Sequence, residues 1–453
     1  MINKNDVLTI TATDLGVDGQ GIAKKDGAVF FCNGLLPGET ATAKVIKPTK
    51  RFFIARALEI EKESPDRVPA PCPVFKRCGG CTLQHLAYPA QTAFKTKRVA
   101  DALNRIGGLD VTISDCVASP KMYGYRNKAM FPVTQKDGQI LIGFFAKGSH
   151  DVVDIEACAI QHPAINQALT IVRAWLIDNA ISVYDERTHL GLIRQIFARV
   201  TSNDALMVGL VSTSKNIPAT KKLVDALKAI PTLKSVMVNV NTTKGNTLLG
   251  KTTHLLYGDE ALIHTVDDLS FSVDLSAFLQ VNTEQTENLY RAALDMAAIT
   301  KDDTVVDLFC GIGTITLLAA KQAKAVYGIE YSKAAIDNAN ANARANGISN
   351  AAFICGDCTE QFAQTAQKAG QVDVLIADPP RKGLDEALIA QILKAVPKRM
   401  VYVSCDPGTL ARDLKQLAEK YTIKQVVPFD MFPQTTHVET VVLLERDKTK
   451  VTK

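Results

Sequence analysis

Val305-Val306-Asp307-Leu308-Phe309-Cys310-Gly311-Ile312-Gly313 decides how this chain is read. Apolar residues flank one aspartate, and two closely spaced glycines follow. This is the pattern of a buried strand ending in a tight turn, where a ligand can approach the backbone and a helix can begin. The spacing is not Gly-x-Gly-x-x-Gly, which argues against a dinucleotide site, and no Walker lysine follows. Asp307, Gly311 and Gly313 also interrupt the apolar run Val305–Ala320, so it is no membrane span. Outward from this stretch, strands and helices alternate. Strands are expected at Thr304–Phe309, Ala325–Glu330, Ala352–Cys355, Val372–Ala377, Met400–Ser404, Thr422–Phe429 and Val438–Leu444. The fold class is α/β, a doubly wound, Rossmann-like parallel sheet whose final strand is a candidate for antiparallel insertion.

In such sheets ligands sit beyond the carboxyl ends of the strands. The first strand offers its glycine turn. The second ends at Glu330, suited to ribose hydroxyls, and the third is followed by Cys355-Gly356-Asp357, where an adenine amino group could be read. The fourth leads into Asp378-Pro379-Pro380-Arg381-Lys382-Gly383. One acid could be a helix cap; four successive strand ends of this kind favour an S-adenosylmethionine site. The fifth strand ends in Ser404-Cys405-Asp406-Pro407 and presents one thiol where a nucleophile would stand. A buried structural thiol is the plainer alternative, since free cysteine packs like a small hydrophobe.

The chain has 453 residues, enough for two to four domains, with 47% hydrophobic and 22% charged residues, as in soluble globular proteins. Nothing at the N-terminus resembles a signal peptide, so a cytoplasmic location is expected. Residues 1–100 carry 15 Lys and Arg against 9 Asp and Glu, while the remainder carries 37 against 38. A basic N-terminal segment on a nearly neutral body points to a polyanion. Residues 2–60 alternate like short strands (Val7–Ile10, Ala28–Phe31, Thr40–Ile46, Phe53–Ile60) punctuated by glycines, as in a small all-β barrel. Lys44, Lys47, Lys50, Arg51 and Arg56 cluster with Phe52 and Phe53, which suits phosphate neutralisation and base stacking.

After the proline-rich linker Ser64–Pro71 comes Cys72-x5-Cys78-Gly79-Gly80-Cys81. The ten cysteines do not read as a disulfide framework in a cytosolic chain. Three thiols this close suggest a zinc or iron–sulfur site whose fourth ligand comes from further along, with Cys116 and Cys158 as candidates. From the residues alone, cluster, zinc and no metal all stay open. A helix is expected from Tyr88 to Gly107. Residues 111–270 look β-rich, with helices near Pro163–Ile177 and Ala219–Ile230, and Lys121–Lys128 is a basic, aromatic turn that suits stacking on RNA and equally suits a surface hairpin. The domains expected are 1–60, a barrel; 61–110, linker and cysteine segment; 111–270, a central β-rich RNA-binding unit; and 271–453, the α/β unit.

Four motifs then coincide: Asp307-Leu308-Phe309-Cys310-Gly311-x-Gly313, Asp378-Pro379-Pro380-Arg381-Lys382-Gly383, Ser404-Cys405-Asp406-Pro407 and Phe432-Pro433-Gln434-Thr435-x-His437-Val438-Glu439. With Phe278-Leu279-Gln280-Val281-Asn282, they resemble the RNA uracil-C5 methyltransferase family, and residues 2–60 resemble its TRAM barrel. Cys72, Cys78 and Cys81, with Cys158 in Ile155-Glu156-Ala157-Cys158, are similar to the four-iron four-sulfur (4Fe-4S) ligand set of the 23S rRNA branch. The tRNA branch lacks both cluster and barrel. The resemblance implies Gln280, Phe309, Glu330, Asp378 and Asp357 around S-adenosylmethionine. It implies Cys405 as nucleophile and Phe278 near the target base; Glu439, after an ordered Pro-Gln-Thr loop, fits the base that removes the C5 proton, and Arg126 of the basic turn is a candidate RNA contact. The partner it implies is a flipped or single-stranded uridine of 23S rRNA, with no DNA or membrane, and a monomer is expected.

Rival readings are a tRNA uracil-C5 enzyme, a cytosine-C5 enzyme, an amino-group methyltransferase and a non-catalytic iron–sulfur RNA-binding factor. A cytosine-C5 enzyme keeps a thiol in the Pro-Pro region, and Asp378–Arg381 has none. An amino-group enzyme would carry an aromatic residue where Arg381 stands, and a dead factor would have no reason to keep both Cys405 and Glu439.

Overall fold

Five strands near the N-terminus, Val7–Leu15, Gly21–Lys25, Ala28–Asn33, Thr40–Pro48 and Phe53–Lys62, close into a barrel in this computed structural model, which describes residues 2–245 and 247–451. Alternation does the folding: Ala41, Ala43 and Val45 point inward along one strand and join Ile10, Phe30 and Ala55 in the core. The short strand Gly21–Lys25 was not anticipated, because Lys24-Lys25 blurs its alternation. Glu39, fully buried, receives a two-pronged ion pair from Arg67 of the linker at 2.5 and 2.7 Å. Leu15 and Leu36 of the barrel pack with Leu83 and Leu86 just after the cysteines.

Pro89 opens the helix Tyr88–Ala102, which continues as one wide turn, Leu103–Gly107. Gly108 ends it at φ 65°, where a Cβ would be strained. Seven strands then form the central sheet, from Lys128–Lys136 to Thr252–Gly258, covered by helices Pro163–Asp178 and Thr220–Leu227. Residues 121–128 are no surface hairpin. Tyr125 is 5% exposed and donates its hydroxyl to the Pro433 carbonyl at 2.9 Å, so its ring belongs to the protein interior.

The hairpin Leu262–Val266/Leu269–Val273 joins two cores: Leu262 packs with Phe197, Met207 and Met237, while Val266, Leu269, Phe271 and Val273 enter the C-terminal core. Asn346 and Asn342 accept from Ser270 N and Ser272 N, each at 2.9 Å. The C-terminal unit expected from residue 271 shares this hairpin with the central unit. Its sheet contains β1 (Thr304–Leu308), β2 (Ala325–Glu330), β3 (Ala351–Cys355), β4 (Val374–Ala377), β5 (Arg399–Ser404), β6 (Tyr421–Phe429) and β7 (Glu439–Arg446). The order is β3-β2-β1-β4-β5-β7-β6, with β7 antiparallel to both neighbours. Near-continuous Val, Ile and Leu in β1, β4 and β5 is what a sheet covered on both faces requires. Among the described residues, no helix is long and apolar enough to cross a membrane.

Candidate active site

The carboxyl ends of β1, β2, β4 and β5 open on one cavity of about 1000 Å³. After β1, Phe309 sits at φ 63°, an unusual conformation for an aromatic residue, and Gly311 and Gly313 follow at φ 56° and 86°. A Cβ on Gly313 would meet the Phe353 ring at 2.9 Å, so the turn is held tight and glycine is required. Glu330 is fixed by Gly311 N at 3.3 Å and Ser332 N at 2.8 Å, which leaves lone pairs for further donors. Gln280 lines the same cavity. Asp357 also reaches it but is exposed and caps the helix Cys358–Ala369, accepting from Thr359 N at 2.8 Å. The plain capping role therefore exists alongside any role in ligand contact.

Among the described residues, three buried carboxylates form no ion pair. Burial, then Asp378 and Glu330, push Asp307 up to about 7 despite a 2.5 Å hydrogen bond from Thr316. Burial alone holds Asp378 at about 7. Burial and Asp378 lift Glu439 to about 8, with Arg381 pulling the other way. Glu439 is 3% exposed, and among the described residues its Oε2 has no hydrogen-bond partner. A ligand with positive charge would restore the ionised form of all three, and the sulfonium and ammonium of S-adenosylmethionine supply such charge.

Cys405 follows β5, half-buried at the cavity wall. Asp406 turns the chain away at once, capping the helix Pro407–Leu417 through Gly408 N and Thr409 N, both at 2.9 Å. Burial, Glu439 and Asp378 push the thiol up to about 11, and Arg381 draws it down. Thus Arg381 faces both Cys405 and Glu439. The sequence showed Arg381 only as a residue excluding another chemistry; its charge on both groups is a product of the fold. Phe278, 68% exposed, and Arg126 stand at the same cavity, as does Tyr331, 77% exposed, which sequence reading passed over.

At its other end the cavity is lined by Cys72, Cys78, Cys81 and Cys158. Burial raises Cys78, Cys81 and Cys158, to about 12 for Cys81 and about 11 for Cys158, with neighbouring cysteines adding to each rise. Asn166 grips Cys158 through its backbone, accepting from N at 2.9 Å and donating to O at 3.1 Å. Gly79 lies against the Phe145 carbonyl, 2.8 Å from where a Cβ would sit. Among the described residues no three His, Cys, Asp or Glu side chains close around a single ion. Four cysteines lining one end of the cavity are a donor set that a zinc ion or an iron–sulfur cluster would need. Cys116 is buried beside Lys95 and Asp430, away from this group.

An RNA methyltransferase architecture, with an RNA-binding barrel and a central β-rich unit ahead of an S-adenosylmethionine fold, is what these elements define. The TRAM domain model matches residues 3–58, and the tRNA (uracil-5-)-methyltransferase model matches residues 87–447. The chain belongs to the tRNA (uracil-5-)-methyltransferase family. It is 44% identical over 448 residues to an uncharacterised RNA methyltransferase of Halalkalibacterium halodurans, covering 98% of each chain. A relative described in the same words from Listeria monocytogenes is 42% identical over 447 residues, again with 98% of each chain covered. Among solved structures, the tRNA (uracil-54, C5)-methyltransferase of Pyrococcus abyssi with S-adenosyl-L-homocysteine has a TM-score of 0.77 and 28% identity. The match covers 96% of this chain and all of that one.

Proposed function

We propose that this protein methylates C5 of a uridine in 23S rRNA. The observation that carries the chemistry is the placement of Cys405 and Glu439 on facing strand ends in one cavity. Uracil C5 is too weak a nucleophile to take a methyl group unaided. Addition of the Cys405 thiolate to C6 forms an enolate and gives C5 carbanion character. S-adenosylmethionine supplies the methyl group as a cationic sulfonium. Glu439 then removes the C5 proton, and elimination releases Cys405. Asp378 and Arg381 set the charge felt by both groups. Phe278, exposed at the mouth, suits stacking with a base drawn out of its helix, because a stacked base cannot reach a thiol at this depth.

The rRNA substrate is supported by the four cysteines. The barrel does not discriminate, because the Pyrococcus abyssi tRNA enzyme, against the expectation that the tRNA branch lacks it, matches 96% of this chain and so most of residues 1–60. Cys72, Cys78, Cys81 and Cys158 would hold a 4Fe-4S cluster, whose contribution at this position is to fix the surrounding segments. A tRNA substrate is the second reading, favoured by the likeness to the Pyrococcus abyssi enzyme. Incubating the protein with methyl-tritiated S-adenosylmethionine and unmodified 23S or tRNA transcripts, then digesting to nucleosides, tests both. We expect 5-methyluridine from 23S RNA. Label entering tRNA alone would overturn the substrate, and label in cytidine or in no nucleoside would overturn the chemistry.

A further inference from the structure

The chain between β6 and β7 carries Glu439 at its end, and this loop is held from outside the sheet. Gln434 within it adopts φ 70°, a left-handed conformation that costs a non-glycine residue energy unless its surroundings impose it. Its polar groups are engaged in just that way. Gln434 N donates to Gln91 Oε1 at 3.0 Å, and Gln91 Nε2 donates to Gln434 Oε1 at 3.0 Å. The Gln434 carbonyl accepts from Thr82 N at 2.9 Å and Leu83 N at 3.0 Å, the two residues directly after Cys81. The same Gln91 Nε2 reaches Leu83 O at 3.1 Å and Leu86 O at 2.8 Å. One buried amide thus joins the cysteine segment to the loop that ends at Glu439.

The rest of that helix face acts on the same loop. One and two turns beyond Gln91, Lys95 pairs with Asp430 and donates to Phe432 O at 3.1 Å, while Arg98 donates to Thr436 O. Barrel residue Gly19 lies close by: a side chain added there would put its Cβ 3.3 Å from both Thr436 and Leu83. Glu439, by contrast, has an oxygen with no partner among the described residues, so its aim depends on the loop that delivers it.

We propose that Gln91 is a positioning residue for the proton-removal step, acting through Gln434 to hold Glu439 against C5 of the methylated base. The inference rests on Glu439 being that base. It predicts a defect confined to one half of the reaction. Attack and methyl transfer depend on Cys405 and the cofactor, which Gln91 does not touch; elimination depends on Glu439.

The test uses two variants of the full chain. Gln91→Glu keeps the size and can still accept from Gln434 N, but it no longer donates to Gln434, Leu83 and Leu86. Gln434→Gly removes the side-chain half of the clamp and makes the left-handed backbone costless. Three quantities are read: turnover, the fraction of enzyme found as a methylated RNA adduct in denaturing gels, and the rate of trapping by 5-fluorouridine RNA, which stops before proton removal. We expect turnover to fall about 10-fold or more, up to the 10²–10⁴ that losing the general base outright would cost, and the adduct fraction to rise. Trapping should stay within about twofold of wild type, since neither variant touches a group used before proton removal. If trapping falls in step with turnover in both variants, Gln91 is merely structural and the inference is wrong; unchanged turnover in both overturns it equally. Glu439→Gln run alongside separates the two levels. If that variant leaves no adduct, the base assignment itself fails. If it accumulates adduct while the Gln91 and Gln434 variants do not, only the positioning role fails.

Discussion

Cys405 and Glu439 stand one residue beyond the last pair of an antiparallel ladder. β5 and β7 pair Val403 with Val441 and Ser404 with Thr440, so the next step in register sets Cys405 opposite Glu439. Directly opposed residues on antiparallel strands send their side chains to the same face, about 4.5–5.5 Å apart at Cβ. A wholly parallel sheet would present all its strand ends at one edge but could not oppose two of them in this manner. The antiparallel insertion of β7 therefore brings a thiol and a carboxylate, far apart in sequence, side by side at one strand-end edge of the cavity.

Their roles separate by substitution. Cys405→Ala should bind RNA and cofactor yet form neither adduct nor product. Glu439→Gln keeps its shape and should leave a methylated base attached to Cys405, with turnover reduced on the order of 10²–10⁴, the usual contribution of a general base. A protein–RNA band that survives denaturation in the second variant and is missing in the first is the expected result. Wild-type turnover by Glu439→Gln would pass the role to His437, which a protein-crowded rim and the guanidinium of Arg381 hold neutral at about 4.

Asp307, Asp378 and Glu439, raised to about 7, 7 and 8, are partly protonated in the ligand-free protein at neutral pH. A cation entering the cavity lowers all three, so binding S-adenosylmethionine at pH 7 should release protons. S-adenosylhomocysteine, which lacks the sulfonium charge, should release fewer. Calorimetry in two buffers of different ionisation enthalpy measures the difference; equal release by both ligands would count against the arrangement.

The same shifts fix a stability trend. These carboxyls hold protons in the folded chain at pH values where the unfolded chain, near 4, has lost them. Stability therefore falls as pH rises from about 4 to 8 through these groups. Asp378→Asn removes one such cost. At pH 8 the ligand-free variant should melt a few degrees higher than wild type, at roughly 2–4 °C per kcal/mol for a domain of this size, while losing activity. A lower melting temperature at pH 8 would mean that Asp378 is ionised and paired.

Much of this was legible before the structure. The glycine turn after Asp307, the acid ending β2 and the lone thiol ending β5 are local signals, because strand ends and turns are written in consecutive residues. The inserted strand was anticipated only as a possibility, since pairing direction is a property of the whole sheet. Neither the charge of Arg381 on Cys405 nor the clamp between Gln91 and Gln434 could be read, because each joins residues distant in sequence with no fixed spacing. Tyr125 shows the opposite error. Its setting among Lys121, Arg126 and Lys128 suggested an RNA-facing ring, yet one hydroxyl bond to Pro433 and tight packing place it inside.

Anaerobically purified protein should be brown and hold about four irons, the content of a site with four thiolate ligands. Cys158→Ala should lose the colour. Asn166→Ala, which leaves all four thiols but frees the Cys158 backbone, should retain iron less firmly on exposure to chelator. Stoichiometric zinc without iron would sink the cluster assignment.

The barrel's contribution to RNA binding is best tested by charge, not by deletion. Removing residues 1–60 would uncover Leu83 and Leu86, which pack on Leu15 and Leu36, at a cost of about 1.5–3 kcal/mol for each fully buried side chain. It would also take Gly19 away from Thr436, so a deletion confounds affinity with the geometry of the active site. Lys47, Lys50, Arg51 and Arg56 are exposed on the barrel, and glutamine at these positions leaves its core intact. If each cation neutralises one phosphate, each substitution lowers the slope of log K against log salt by about 0.7–0.9. Phosphate contacts carry no sequence information, so the methylated nucleotide should be unchanged while affinity falls across all RNAs. A quadruple variant with wild-type salt dependence would place the RNA path elsewhere, and one that methylates a different uridine would show that the barrel selects the site as well as binding the strand.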